Sequence, residues 1–295
     1  MAVDAGALLF DRLRRALDAR AGDLAGVLAV TVIDLRTGAR IAVNEDVPLG
    51  CGSSIKIPIL MELYRQHAAG LIDLDAPCPV APPNRVDGAG VLQFLRPDLV
   101  LTGRDLATFM IVLSDNTATN ACIDLVGMER VQALLAELTP AASLVRKMQD
   151  YRAATRGLEN VATASAMAEW VRLLWAGEFV SREVSDQVLR VLTYRKEGLI
   201  NRALPVAVRV ANKPGGLNGG KSDVGLVDQR RRPYVVSIMT AFALRGDGEE
   251  TVVETARLVH DHMNALDRYK GMGGPHIEHF TRDGHADPAL EAEEE

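Results

Sequence analysis

The chain has 295 residues, 48% of them apolar and 24% charged, and a formal net charge of −6. Residues 271–295 carry that charge, with seven carboxylates against one arginine, so the remainder is near neutral. The near-neutral charge of the rest of the chain argues against binding to nucleic acid. No apolar run is long enough to span a membrane. The length suffices for one large domain or two interlocked lobes with a sizeable core.

The cysteines and the N-terminal residues bear on redox chemistry and compartment. Cys51, Cys78 and Cys122 are odd in number and lack CxxC spacing, which predicts free thiols rather than a disulfide framework or a zinc site. The first residues contain neither the basic nor the apolar segment of a signal peptide. We therefore expect either a cytoplasmic protein or one whose leader has been removed, and the compartment stays open.

The periodicity of apolar residues predicts strands towards both ends of the chain and helices between them. The first helix is expected around residues 9–17. Strand patterns occupy residues 27–34, 39–43, 206–210, 224–227 and 234–243. Helical patterns occupy residues 57–69, 106–113 and 249–266, the second of them opened by a capping box of Thr102 and Asp105.

This order of elements predicts an α/β fold with an inserted helical part. Residues 1–48 together with 205–268 should form the α/β lobe, an antiparallel sheet flanked by terminal helices. Residues 49–204 should form an all-α lobe. Residues 271–295, rich in Gly, His and acidic side chains, are expected to be a flexible acidic tail.

Ser53 and Lys56 are the first candidates for chemistry. They stand three residues apart at the start of an apolar helix, so their side chains lie on one face within reach of each other. A serine becomes a useful nucleophile when a base takes its proton, and a lysine can be that base if burial or a neighbouring positive charge lowers its pKa. The N–H groups of a helix N-terminus can stabilise an oxyanion. The alternative is an ordinary N-cap serine beside a surface lysine.

Two further motifs supply residue types that acyl transfer requires. Ser114 and Asn116 offer a hydroxyl to pass a proton to a leaving group and an amide to hold a substrate carbonyl, although a polar turn that caps the next helix would look the same. Lys213 ends a Val-rich strand, and Gly215 and Gly216 leave room for a substrate backbone at the strand edge. Each motif alone has a structural explanation, but their order along the chain favours a serine acyl hydrolase.

The sequences SSIK at 53–56, SDN at 114–116 and KPG at 213–215 resemble the SxxK, SDN and KTG signature of class A β-lactamases and penicillin-binding proteins. The similarity extends from about residue 27 to 268 and includes the stretches VIDLRTG, LTGRDLATFMIVLSDNTATN and SDVGLV. The resemblance implies a class A β-lactamase-like fold, α/β plus all-α, that acts on a small molecule without a cofactor. Members of that family are usually exported.

The resemblance also implies roles for individual residues. The serine of the first motif would be acylated and the lysine of that motif would activate it, while the serine of the second motif would relay a proton with the lysine of the third. Asn116 would bind the substrate amide, and the N–H groups of Ser53 and Gly216 would form the oxyanion hole. The implied catalytic residues are Ser53, Lys56, Ser114 and Lys213, and the implied substrate-binding residues are Asn116, Gly215 and Gly216.

One departure from the family pattern concerns turnover. The family has an ExxLN stretch whose glutamate activates the deacylating water, and no such stretch occurs between residues 139 and 163. Counting back from the next helix puts Lys147 near the glutamate's place. Asp150 close by is therefore the candidate deacylation base, whereas Glu159 lies too near that helix to substitute comfortably.

A second departure concerns recognition of a substrate carboxylate. Pro214 stands where the family has Thr or Ser, and proline offers neither a hydroxyl nor an N–H. Asp223 lies in the region where the family often places a carboxylate-binding arginine. We therefore expect weaker carboxylate recognition, unless Lys221 or Arg209 compensates.

The sequence thus predicts a serine acyl hydrolase of class A β-lactamase type that opens a β-lactam or related amide through an acyl-enzyme, with slow deacylation as one version. A D,D-peptidase-like amidase or an esterase is the alternative among enzymes, favoured by the missing ExxLN. A non-catalytic penicillin-binding sensor is the alternative outside them. His276 and His279 have metal-ligand spacing, but without a further ligand cluster no metal site is predicted.

Overall fold

The computed structural model describes residues 5–229, 231–244 and 246–268. Its strands are β1 (Val27–Asp34), β2 (Arg40–Val43), β3 (Leu49–Gly50), β4 (Pro77–Cys78), β5 (Leu101–Thr102), β6 (Val161–Ala162), β7 (Arg209–Leu217), β8 (Gly220–Asp228) and β9 (Tyr234–Ala241). Its α-helices are α1 (Ala5–Asp23), α2 (Lys56–Ala68), α3 (Gly103–Val112), α4 (Asn116–Val126), α5 (Met128–Leu138), α6 (Tyr151–Thr155), α7 (Ala164–Ala176), α8 (Arg182–Thr193), α9 (Leu199–Ala203) and α10 (Asp247–Arg268).

A five-stranded antiparallel sheet of order β2-β1-β9-β8-β7 separates two hydrophobic cores. Because successive side chains of a strand point to opposite faces, β1 contributes to both cores. Leu28, Val30 and Val32 belong to the core that includes apolar residues of α1 and α10. Ala29 and Ile33 belong to the core that includes the helices between the two chain ends. The terminal helices therefore flank the sheet, as the sequence predicted.

The part of the chain between β2 and β7 is mostly helical but not wholly so. It contains two short antiparallel strand pairs, β3 with β6 and β4 with β5, which the expectation of an all-α lobe did not include. Two-residue strands leave no periodic pattern in a sequence, which explains the omission. Near the predicted lobe boundary, α9 contributes Leu199 and Ile200 to the core that α10 lines. The boundary between the two lobes, placed between residues 204 and 205, stays a prediction.

The third motif lies inside β7 rather than after the end of a strand. Lys213 pairs in register with Val224, and Pro214 with Asp223, on β8. β7 is an edge strand of the described sheet, and an edge strand tolerates the missing N–H of a proline better than a central strand does. The strand pattern was expected to end at Val210, because Pro and Gly normally mark the end of a strand in sequence. The observed strand continues to Leu217.

Asp115 joins the turn between α3 and α4 to the segment that precedes β5. One carboxylate oxygen caps α4 by accepting from the N–H of Ala118 at 2.8 Å. The other accepts from the N–H groups of Val91 and Leu92 at 2.7 and 2.8 Å. Asp115 is buried, and its carboxylate supplies the hydrogen-bond acceptor for these three backbone N–H groups. The turn that carries the second motif is fixed in this way.

We expect Asp115→Ala to lower the free energy of unfolding by about 2–4 kcal/mol, because it removes a helix cap and leaves buried N–H groups without partners. The matched control is Asp105→Ala, which removes the exposed carboxylate of the capping box at α3 and should cost about 1 kcal/mol. Urea unfolding at neutral pH measures both. Equal losses in the two variants would contradict the anchoring role of Asp115.

Candidate active site

Ser53 lies in a short 3₁₀ turn, Gly52–Ile55, that leads directly into α2. The sequence placed it at the start of a helix, and the structure shows the tighter turn there. Gly52 has a φ of +53°, a left-handed conformation that glycine adopts without a steric penalty. Ser53 itself is only partly buried. The turn thus presents Ser53 at the N-terminal end of a largely buried helix.

β7 approaches this turn so closely that two glycines are required at the contact. A Cβ on Gly52 would lie 2.7 Å from the N atom of Gly216. A Cβ on Gly215 would lie 2.4 Å from the carbonyl oxygen of Cys51 and 2.9 Å from the N atom of Ser53. Both contacts are too short for real carbon atoms. The close approach brings the backbone N atoms of Ser53 and Gly216, the two predicted oxyanion donors, to the same small region.

Lys56 extends from the first turn of α2 to the second motif. Its Nζ donates to the carbonyl oxygen of Ser114 at 2.6 Å and to Ser114 Oγ at 3.1 Å. It also donates to Asn116 Oδ1 at 3.1 Å. Ser114 has a φ of +52°, which is uncommon for a residue with a side chain and is a form of strain that clusters at functional sites. The surface-lysine alternative is wrong, because Lys56 is fully buried.

Lys213 reaches the same serine oxygen from the sheet. Its Nζ donates to Ser114 Oγ at 3.1 Å and to the carbonyl oxygen of Pro214 at 2.8 Å. Lys213 is also fully buried. One hydroxyl oxygen is therefore the acceptor for two lysine amines, one from α2 and one from β7. The structure brings together Lys56, Ser114 and Lys213, as the motifs predicted.

Burial changes the protonation of both lysines. Desolvation is the main reason that the pKa of Lys56 lies well below the ordinary lysine value, and the charge of Lys213 lowers it further. Desolvation also lowers the pKa of Lys213 to about 7, against an opposing effect of Asp223. A neutral amine with an available lone pair is the form that can accept a proton from a serine. Cys51 beside the turn is different: burial raises the pKa of its thiol to about 12.

Two serines that sequence reasoning missed tie the Ser53 turn to β8. Ser54 Oγ lies 2.8 Å from Ser222 Oγ and 3.0 Å from the carbonyl oxygen of Lys213, while Ser222 Oγ lies 2.8 Å from the carbonyl oxygen of Cys51. Each hydroxyl has a single hydrogen, so only two of these three bonds form at once. The two shorter contacts make a chain from Ser54 through Ser222 to Cys51. Nothing in the sequence distinguishes these serines from others.

A cavity of about 230 Å³ opens beside Ser53. Its lining at the reactive end includes Gly52, Asn116 and Gly216. Asn116 Nδ2 donates to the carbonyl oxygen of Asp87 at 3.2 Å, so the amide is held in place while it borders the cavity. The rest of the lining comprises Ala89, Arg146, Met148, Gln149, Glu159, Asn160 and Leu217.

The loop before α6 places Met148, and not a carboxylate, against this cavity. The side-chain amide of Asn120 accepts from the N–H of Met148 at 2.8 Å and donates to its carbonyl oxygen at 3.1 Å, which fixes the backbone there. Lys147 points elsewhere, with its Nζ 2.9 Å from Asn84 Oδ1 and 2.5 Å from an oxygen of Asp124.

Asp150 is exposed and caps α6 by accepting from the N–H of Ala153 at 2.9 Å. Among the residues that the structure describes, the carboxylate lining the cavity is that of Glu159, which the sequence reading set aside. Counting residues back from α7 could not reveal this, because the loop folds back on itself and Glu159 is held there by Arg146 at 2.7 Å.

Pro214 and its neighbours leave the site without the family's usual carboxylate-binding side chains. Asp223 is fully buried, where its oxygens accept from the N–H of Ile200 at 2.9 Å and from Asn212 Nδ2 at 3.0 Å. Burial raises the pKa of Asp223 to about 6. Lys221 lies 3.4 Å from Glu249, and Arg209 pairs with Asp228. Both of the basic side chains considered as substitutes therefore already have acidic partners.

No group of His, Cys, Asp and Glu side chains in the described part of the chain is arranged to hold a metal ion. His276 and His279, and the predicted acidic tail, lie outside the described residues. None of the described helices has the length and apolarity to cross a membrane.

The buried lysines should make stability depend on pH. Below about pH 7 Lys213 is protonated in the folded chain, and burial of its ammonium lowers the free energy of unfolding by the full amount. Between about pH 7 and the ordinary lysine pKa the unfolded chain holds this proton and the folded chain does not. The free energy of unfolding therefore rises with pH over that range. We expect Lys213→Met to be more stable than the wild type by about 1–4 kcal/mol near pH 6, with a smaller gain near pH 9. Urea unfolding at both pH values measures this. A less stable variant with an unchanged pH slope would show that burial of Lys213 is not costly.

Comparison with known proteins agrees with the fold. A β-lactamase from Sphaerobacter thermophilus DSM 20745 is 30% identical, with a TM-score of 0.80 over 86% of this chain and 98% of that chain. An ancestral class A β-lactamase is 26% identical, with a TM-score of 0.77 over 84% of this chain and 99% of that chain. PBP-A, at 22% identity, shares the fold with a TM-score of 0.79 over 86% of this chain and 96% of that chain. No curated protein matches significantly.

These similarities confirm the predicted class A β-lactamase-like fold, and family and fold together support a serine hydrolase of the β-lactamase type. The family model described as "Beta-lactamase enzyme family" matches residues 11–263. This chain therefore belongs to the β-lactamase enzyme family.

Proposed function

We propose that the protein is a serine acyl hydrolase that opens a β-lactam or a related small-molecule amide through an acyl-enzyme on Ser53. The observation that carries this proposal is the position of Ser114 Oγ, 3.1 Å from the amines of both Lys56 and Lys213. Lys56 also donates to Asn116, which lines the same cavity as Ser53. A helix cap requires only a side-chain acceptor for a backbone N–H, and two buried lysines around one hydroxyl do not contribute to it. A proton relay needs such an arrangement.

The proposed acylation moves one proton along this relay. Neutral Lys56 takes the proton of Ser53 Oγ as that oxygen attacks the substrate carbonyl carbon. The N–H groups of Ser53 and Gly216 stabilise the oxyanion that forms. Ser114 Oγ then donates its hydrogen to the leaving nitrogen as the amide bond breaks, and it regains a proton from Lys56. Lys213 supports the same oxygen throughout.

Deacylation is the step for which the site is least equipped. A water molecule must attack the acyl carbon, and a carboxylate normally takes its proton. In this chain Met148 borders the cavity from the loop that carries the base in the family, and the candidate Asp150 is exposed and caps a helix. The carboxylate that does line the cavity, that of Glu159, accepts from Arg146 through both oxygens. We therefore propose rapid acylation followed by slow release.

A D,D-peptidase-like amidase or an esterase remains the second candidate, and one feature favours it. Pro214 offers no donor to a substrate carboxylate, and the nearby Lys221 and Arg209 already face Glu249 and Asp228. A neutral ester or amide loses less from these features than a penicillin does. A non-catalytic sensor would acylate at Ser53 and release nothing on the time scale of turnover.

The first prediction concerns the covalent residue. A fluorescent penicillin should label the wild type at Ser53, as located by mass spectrometry of proteolytic peptides. Ser53→Ala should lose the label, whereas Ser54→Ala should retain it, because its hydroxyl is buried and bonded to Ser222. Lys56→Ala should fold normally and acylate on the order of 10²–10⁴-fold more slowly. A label that persists in Ser53→Ala would place the nucleophile elsewhere.

The second prediction concerns release of the acyl group. Nitrocefin should give a burst of about one equivalent and then a steady rate slower by on the order of 10²–10⁴-fold, the usual value of general-base assistance. Met148→Glu should raise the steady rate, because it introduces a carboxylate at the cavity wall. Asp150→Asn tests the alternative from the sequence and should leave the steady rate unchanged. Fast linear turnover that Asp150→Asn abolishes would instead make Asp150 the base.

A further inference from the structure

The far wall of the Ser53 cavity contains an ion pair whose acidic member is the more accessible one. Arg146 Nη2 donates to both oxygens of Glu159, at 2.7 and 2.9 Å. The side chain of Glu159 is 35% exposed, whereas that of Arg146 is 12% exposed. Both side chains line the cavity, and the carboxylate of Glu159 is the more exposed of the two charged groups.

The two carboxylate oxygens of Glu159 are not equally occupied. Oε1 accepts from Arg146 at 2.7 Å and from the N–H of Asn160 at 2.8 Å. Oε2 accepts from Arg146 alone at 2.9 Å among the contacts of the described residues. A carboxylate oxygen has two lone-pair positions, so Oε2 keeps acceptor capacity. Of the other Arg146 nitrogens, Nη1 donates to the carbonyl oxygen of Lys147 at 3.2 Å and Nε is buried.

The position of this pair determines which part of a substrate reaches it. In the acyl-enzyme of a β-lactam the former ring nitrogen stays linked to the acyl carbon through the opened ring, so the whole substrate is retained on Ser53 Oγ. Asn116, the residue proposed to hold the amide of the acyl side chain, lines the same cavity as Ser53 and Glu159. The cavity volume of about 230 Å³ accommodates a small acyl side chain between Ser53 and the opposite wall. Gly50 allows Leu217 to pack closely at that wall, because a Cβ on Gly50 would lie 2.5 Å from Leu217 Cδ1 and 3.8 Å from Glu159 Cγ. The acyl side chain is therefore the group that meets Glu159.

We propose that Glu159 is a specificity-determining residue that selects acyl donors carrying a protonated amine on the acyl side chain. The ammonium group donates to Oε2 of Glu159, and no displacement of Arg146 is needed. An acyl side chain with a carboxylate meets a like charge at the same place and is disfavoured. This inference rests on the proposed acyl-enzyme at Ser53 and concerns acylation, not release.

Three penicillins that differ only at one carbon of the acyl side chain test it: benzylpenicillin, its α-amino derivative ampicillin and its α-carboxy derivative carbenicillin. Second-order acylation rates come from the growth of the Ser53 adduct by intact mass. Near pH 6, where an amine is protonated, ampicillin should acylate on the order of tenfold faster than carbenicillin and also faster than benzylpenicillin. Near pH 9, where the amine is neutral, the advantage over benzylpenicillin should disappear.

Glu159→Gln should remove the advantage of ampicillin over benzylpenicillin at the lower pH. The matched control is Glu178→Gln, which removes a carboxylate that pairs with Arg172 at 2.8 Å outside the cavity. That control should keep the wild-type order of substrates. If Glu159→Gln does not fold, the pH comparison in the wild type still decides.

Equal acylation by the three penicillins, or a preference for ampicillin that survives Glu159→Gln or persists near pH 9, would overturn the role of Glu159. Those results leave the acyl-enzyme itself intact, because adducts form in each case. Absence of any Ser53 adduct with all three compounds would instead overturn the proposed function, and with it this inference.

Discussion

The proposed active site depends on two buried lysine amines that share one serine oxygen. Lys56 and Lys213 are both fully buried, and each lies 3.1 Å from Ser114 Oγ. Two ammonium groups in this position would repel each other and lack solvation, so the arrangement favours a neutral amine near pH 7. The fold loses stability through this arrangement, and we propose that it does so to keep a base available to Ser53, a compromise that is common at catalytic sites.

That arrangement requires two parts of the fold to meet at fixed distances. Lys56 and Ser114 come from the helical part, whereas Lys213 comes from the edge strand of the sheet. The edge strand reaches the Ser53 turn because Gly52 and Gly215 have no side chains that would hold the strand and the turn apart. The same close contact brings together the backbone N atoms of Ser53 and Gly216, so the geometry of the proposed base and that of the proposed oxyanion hole have a common origin.

Local signals predicted most of the fold and the centre of the site. The hairpin, the capping box at Thr102 and the N-cap at Asp115 depend on neighbouring residues, so the sequence alone reveals them. The cavity wall could not be predicted in the same way. Met148 is set against the cavity by Asn120, and Glu159 by Arg146; these side-chain contacts are non-local and leave no periodic trace. Counting residues back from a helix therefore selected Asp150.

The most direct measurement of the central interaction is an NMR titration of protein labelled with ¹³C at the lysine Cε positions. Lys56→Met and Lys213→Met assign the two buried signals by their loss. The account predicts that Lys213 titrates near pH 7 and that Lys56 titrates well below the ordinary lysine range. Titration of both signals at the ordinary lysine value of about 10.4 would contradict it, because neither amine would then be available as a base near pH 7.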